Sequence, residues 1–222
     1  MQKQRSKPLK KVLPVSDTCR TMNFFLRSVL IVILFLSVFS DTKAQGGRFD
    51  KHILRYIEAH RTHKGTAFFK FVSKWNNPVC LAAPASLFIT GLIKNDSYMK
   101  RSSLYVTESI AISSLVNVAL KKIFKRKRPF ASEVTFTAEV RPKNESFPSG
   151  HAAEAFSMAT SMTLAYPKWY VIIPTYGWAS LVGYSRVYLG VHYPTDVIGG
   201  AVIASGMSWL TYRLNHDYLK NK

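Results

Sequence analysis

Ser185-Arg186-Val187-Tyr188-Leu189-Gly190-Val191-His192-Tyr193-Pro194-Thr195-Asp196 sets an arginine, a histidine and an aspartate between two apolar segments, Trp169 to Tyr184 and Val197 to Leu210. Two apolar stretches joined by a short polar one, with a proline where the second begins, read as two helices meeting at a loop. Polar chemistry is thereby placed at helix ends. Asp196 follows His192 by four residues, close enough for its carboxylate to accept a hydrogen bond from the imidazole, fix the tautomer and leave the other nitrogen free to attack. Arg186 brings a planar fork that binds two phosphate oxygens. Taken alone, the stretch also reads as a loop histidine beside a helix-capping aspartate.

Working outward, Val79 to Ile93, Leu104 to Leu120 and Ala152 to Tyr166 are apolar segments of the same kind, making five in all. Each falls short of the roughly 20 residues that cross a bilayer squarely, so flanking aromatic and basic residues must complete the spans. Trp169, Tyr170, Tyr184, Trp209 and Tyr212 stand at such ends. Gly199, Gly200, Ala201, Ala204, Ser205 and Gly206 crowd the last segment, which suits close helix contact. The fold class this predicts is all-α, a polytopic membrane helical bundle. The formal charge of +19 would ordinarily point to nucleic acid or an anionic membrane surface, and the 47% apolar content, gathered in runs, selects the membrane. No nucleic-acid partner is expected.

The first 44 residues read as a signal peptide or N-terminal anchor: Lys3, Arg5, Lys7, Lys10, Lys11 and Arg20 precede the apolar run Phe24 to Phe39, and Thr42-Lys43-Ala44 offers a cleavage site before Gln45. Residues 45–222 then form one domain. Within it, residues 48 to 75 mix apolar and basic positions and predict amphipathic helices at the membrane interface or packed as a pair. Cys19 and Cys80 lie in segments of different kinds and predict no disulfide.

With the basic N-terminus in the cytoplasm, alternation of the spans puts the Lys94 to Arg101 turn and the C-terminal tail inside, where their cations belong. It puts three polar stretches together on the outer face: Lys121 to Pro129, Phe147 to His151, and the stretch quoted above. In the first, cations run from a helix end into a proline that stops it, a pattern that also fits a solvated loop or a headgroup anchor. In the second, Pro148-Ser149-Gly150-His151 opens a helix, so free amides and a positive dipole end face an anion and Gly150 lets it approach the backbone. The polar loop Ala131 to Ser146 joins these two stretches and has the length of a lid or recognition surface.

Lys121, six residues, Arg128-Pro129; then Pro148-Ser149-Gly150-His151; then Ser185-Arg186, five residues, His192, three residues, Asp196: this resembles the tripartite signature of the type 2 phosphatidic acid phosphatase family, whose superfamily includes glucose-6-phosphatases and vanadium-dependent haloperoxidases. Every signature position is filled in order and spacing. The resemblance implies that His192 is the nucleophile, forming a phosphohistidine, that Asp196 orients it, and that His151 protonates the leaving oxygen. Lys121, Arg128, Arg186, Ser149 and the Gly150 amide would hold the phosphoryl oxygens.

The expected activity is hydrolysis of a lipid phosphate or pyrophosphate at the periplasmic face of the inner membrane. Phosphorylated lipid substrate and membrane lipids are the expected partners. No cofactor and no metal is called for, since nearby cations oppose a divalent ion, and His60 and His63 read as surface residues. The alternative is a non-catalytic protein that binds anionic lipid through the cations and leaves the histidines idle.

Overall fold

The computed structural model describes residues 46–132 and 136–216 together with Leu219, all within one compact unit. The expected signal or anchor segment lies outside the described residues. The chain forms α1 (Arg48–Ala59), α2 (His63–Ile93), α3 (Ser97–Phe124), the short turn α4 (Pro129–Ser132), α5 (Gly150–Ala165), α6 (Trp169–Tyr188) and α7 (Pro194–Leu214), with no strand among the described residues.

α5 is the central helix and packs on α2, α3, α6 and α7. Its small residues permit this: Ala152, Ala153, Ala155, Ser157, Ala159 and Ser161 are all buried. α7 answers with glycine. A Cβ on Gly200 would stand 2.7 Å from the Ser149 carbonyl oxygen, and one on Gly199 would run into the Phe147 ring, so both glycines let α7 close on the start of α5.

Polarity is inverted relative to a water-soluble bundle. Ser113 of α3, Ser157 of α5 and Ser208 of α7 form a buried hydroxyl chain at 3.0 and 2.8 Å, and Tyr105 Oη donates to the Ser208 carbonyl at 3.0 Å. Leu81, Ile93, Leu115, Ile123, Ile173 and Leu214 point outward and are exposed. Polar side chains that satisfy one another inside and apolar ones outside suit helices surrounded by hydrocarbon. α2 and the stretch beginning with α3 are long and apolar enough to cross a bilayer by length and composition, whereas five such spans are expected from the sequence. α5 has only 16 residues, about 24 Å of helix.

α2 differs from expectation. The sequence divides Phe68 to Trp75 from a span starting at Val79, yet one 31-residue helix runs through Pro78 and Pro84. Each proline removes only one backbone donor, and packing against α3, α5 and α6 along the helix outweighs that loss.

At one end of the bundle a second core gathers Leu54 and Ile57 of α1, Phe136 of the loop, and Val187, Tyr188, Leu189, Val191 and Tyr193. This core seats α1 against the loop that carries His192. Gly190 turns that loop with a φ of +71°, where a Cβ would meet the Thr137 carbonyl oxygen at 2.6 Å.

Candidate active site

The same end of the bundle holds the eight residues singled out from the sequence. α3 delivers Lys121, the segment after it Arg128, the start of α5 Ser149, Gly150 and His151, the end of α6 Arg186, and the start of α7 Asp196 with His192 just before it. Lys121, Arg128, Ser149, Arg186, His192 and Asp196 are all at most 7% exposed, which makes their shared charge costly unless it is matched.

His192 is gripped from both ring nitrogens. Arg128 Nη1 lies 3.1 Å from Nε2, and a guanidinium can only donate, so Nε2 presents a lone pair. The proton therefore sits on Nδ1, which faces Asp196 Oδ2 and Ser146 Oγ, each at 3.5 Å. Ser146 Oγ in turn donates to Asp196 Oδ2 at 2.5 Å, and the Tyr193 amide donates to the same oxygen at 2.9 Å. Asp196 thus takes up the amide of the N-cap residue Tyr193 at the start of α7 while it fixes the imidazole tautomer.

Arg128 is held at every prong. Nε donates to the Asn144 carbonyl at 2.7 Å, Nη1 to the Val191 carbonyl at 2.7 Å, and Nη2 to Asn144 Oδ1 at 2.6 Å. Lys121 Nζ donates to the Glu145 carbonyl at 2.5 Å, and Arg186 Nη1 to Ser73 Oγ. The loop Ala131 to Ser146, read from sequence as a lid or recognition surface, also anchors two of the cations through Asn144 and Glu145.

At the start of α5, Ala153 N bonds the Ser149 carbonyl at 3.0 Å, leaving the amides of Gly150, His151 and Ala152 without an intrahelical acceptor. A Cβ on Gly150 would meet only Asn117 Oδ1, at 3.6 Å, so protein packing does not demand glycine there. Ser149 Oγ and Arg186 Nε are buried without a partner among the described residues. Orphaned donors, free amides and three buried cations, one of them on the imidazole lone pair, make a candidate anion cradle. The donors are cationic or neutral, which fits an oxyanion and opposes a metal cation.

Burial pushes the His192 imidazolium down to about 3, reinforced by Arg128 and Arg186 and opposed by Asp196. Burial likewise pushes His151 down to about 4, with Arg186, Arg128 and Lys121 adding to it. For Asp196, burial works the other way, yet the bonds from His192 and Ser146 and the Arg126 charge hold its carboxyl below the ordinary range. In the unfolded chain both histidines protonate near pH 6.5. Between that value and about 4 the unfolded state binds more protons, so acid destabilises the fold. The melting temperature in detergent is expected to fall steadily from pH 7 to pH 4, and a flat profile would contradict these neutral imidazoles.

Sequence reasoning missed Asp50, Arg126, Asn144, Glu145 and Ser146. A signal for Arg126 exists. Past the left-handed cap at Lys125, residues 125 to 128 alternate exposed, buried, exposed, buried, so Arg126 and Arg128 point inward together. Read as a helix end, the run hides that alternation. Asp50 carries no local signal.

The helical bundle and the groups gathered at its end fit a membrane-embedded phosphohydrolase. Residues 102–220, more than half of the chain, match the model of the PAP2 superfamily, and the chain belongs to it. It is 28% identical over 190 residues to an undecaprenyl-diphosphatase of Sulfolobus acidocaldarius, covering 83% of this chain and 89% of that protein. It is also 40% identical over 70 residues to a lipid A 4'-phosphatase of Bacteroides thetaiotaomicron, 32% of this chain and 31% of that one. The fold is similar to the crystal structure of a transmembrane PAP2 type phosphatidylglycerolphosphate phosphatase from Bacillus subtilis, with a TM-score of 0.68 at 24% identity over 88% of this chain and 98% of that chain. The protein is a phosphatase of this superfamily, a hydrolase of phosphate esters in the membrane.

Proposed function

We propose that this chain removes a phosphate from a lipid phosphate or pyrophosphate through a phosphohistidine on His192, at the periplasmic face of the inner membrane. The observation that carries this reading is the 3.1 Å contact from Arg128 to His192 Nε2, which sets that nitrogen's lone pair against a buried cation. The names of the relatives support a phosphorylated lipid as substrate, and the apolar bundle wall holds its tail while the headgroup enters the cradle.

In the forward step Nε2 attacks phosphorus, the bond to the lipid oxygen breaks, and His151 gives that oxygen a proton. Lys121, Arg128, Arg186, Ser149 and the Gly150 amide take the charge that spreads over the phosphoryl oxygens. Asp196 balances the positive charge that appears on the ring. Water then attacks phosphorus, the P–N bond breaks, and His151 accepts the proton. Burial and, after it, the charges of Arg186, Arg128 and Lys121 keep His151 neutral before a phosphate binds. A bound phosphate offsets them and lets His151 take up the proton it delivers.

The test is phosphate release from a panel of lipid phosphates and diphosphates in detergent, with a chelator present. Turnover of at least one lipid is expected and is to survive the chelator. Lipid binding without release would instead favour a non-catalytic anionic-lipid binder, and loss of activity with the chelator would overturn the metal-free scheme.

A further inference from the structure

The chemistry above uses one side of Asp196. Its other oxygen is engaged by a residue that the reaction leaves out. Arg126 Nη1 donates to Asp196 Oδ1 at 2.5 Å, and Nη2 of the same guanidinium donates to Asp50 Oδ2 at 2.8 Å. Arg126 is 2% exposed, Asp50 1% and Asp196 0%.

Thr195 closes the arrangement. Its Oγ1 accepts from Arg126 at 2.8 Å and donates to Asp50 Oδ2 at 2.7 Å, while its amide donates to Asp50 Oδ1 at 3.0 Å. The guanidinium lies over the Tyr193 ring, 4.4 Å from its centroid. Docking α1 onto the start of α7 needs only the Asp50–Thr195 bonds. It does not account for a buried arginine that reaches through to the carboxylate facing His192.

We propose that Asp50 and Arg126 are positioning residues that set the charge of Asp196, and through it the nucleophilicity of His192. This rests on the reading that His192 attacks and Asp196 orients it. Alone, Arg126 would neutralise Asp196 and weaken it as acceptor for the Nδ1 proton. Asp50 takes up the second prong, so the Asp–Arg–Asp set carries one net negative charge, matching the positive charge that the ring acquires when Nε2 bonds phosphorus. Only a planar fork bridges both carboxylates, and lysine does not. Asp50 lies on α1, ahead of the residues matched by the family model, so α1 supplies a charge to the site.

The other charged groups acting on His192 are Arg128 after α3 and Arg186 on α6; Lys121 on α3 and His151 on α5 act on those two arginines in turn, and Glu145 of the loop acts on Arg128 and Lys121. None of them changes in the test. Asp50→Asn leaves Arg126 wholly on Asp196, and kcat is expected to fall roughly 10- to 100-fold with KM nearly unchanged. Arg126→Gln leaves two carboxylates near the ring, makes His192 easier to protonate, and is expected to move the acid-side fall of kcat/KM up by about one pH unit. The double variant restores the net charge and is expected to return that fall toward the wild-type pH.

Asp50→Asn with kcat within about twofold of wild type, or Arg126→Gln with an unmoved acid limb, would overturn the proposal. Thermal unfolding in detergent checks that each variant is folded. Where neither single variant folds, Arg126→Lys decides: it keeps the charge but does not bridge both carboxylates, so a kcat lowered by about tenfold or more with KM nearly unchanged supports the proposal, and a kcat within about twofold of wild type overturns it. Asp196→Asn, run alongside, separates the two readings. If it keeps full kcat, the role of Asp196 itself fails; if it is inactive while Asp50→Asn is not, only the inference about Asp50 and Arg126 fails.

Discussion

Replacing His192 by alanine is expected to lower phosphate release from every lipid phosphate turned over by the native protein, by on the order of 10⁴-fold or more. The size follows from the geometry. Nε2 presents its lone pair to Arg128, the tautomer is set by a donor on one side and an acceptor on the other, and among the described residues no other nucleophile bonds Arg128. Without it water must attack directly, with only the cations to help. The fold should tolerate the change: His192 is buried and neutral, so alanine leaves no unpaired ion behind. Unchanged hydrolysis by a folded His192→Ala protein would remove the phosphohistidine from the scheme, and a variant that still binds lipid but releases nothing would agree with it.

The second large effect belongs to Arg128→Lys. The charge is retained, yet kcat/KM is expected to fall by about 10² to 10³-fold. The guanidinium meets Asn144, Val191 and His192 at once, and its plane fixes their mutual positions. An ammonium is a point charge that reaches one or two of these groups. It leaves buried carbonyls unpaired, each at a cost of about 1–3 kcal/mol, so a lower melting temperature is expected alongside the lost activity. Activity within a few-fold of wild type would mean that charge alone, and not the fork, serves the site.

Most of the cradle was legible because its parts stand at helix ends, where spacing along the chain translates into spacing in space. His192 and Asp196 are four apart across one turn, and Ser149, Gly150 and His151 open a helix. Apart from Asp50 on α1, what escaped lies where the chain leaves regular structure. Arg126 sits in an extended segment whose alternation starts only after Lys125 takes a left-handed conformation, and helical periodicity does not announce that switch. Asn144, Glu145 and Ser146 act largely through carbonyls and a hydroxyl, which any loop possesses. The break expected before Val79 was misplaced for a related reason: proline disfavours a helix locally, and the packing that overrides it is not local.

By itself, then, the chain determined an all-helical membrane bundle and singled out eight residues that the fold brings to one end of it, because apolar runs and helix-end motifs are short-range properties. Only the tertiary structure decided which neighbours those residues would have. Asp50 and Asp196 are far apart along the chain, and Arg126 joins them. His192, in the stretch between Ser185 and Asp196, is read from sequence as a histidine with one carboxylate. In the fold it stands at one end of a buried chain of charges that begins on α1, because burial forces each ion to find a partner wherever the packing places one.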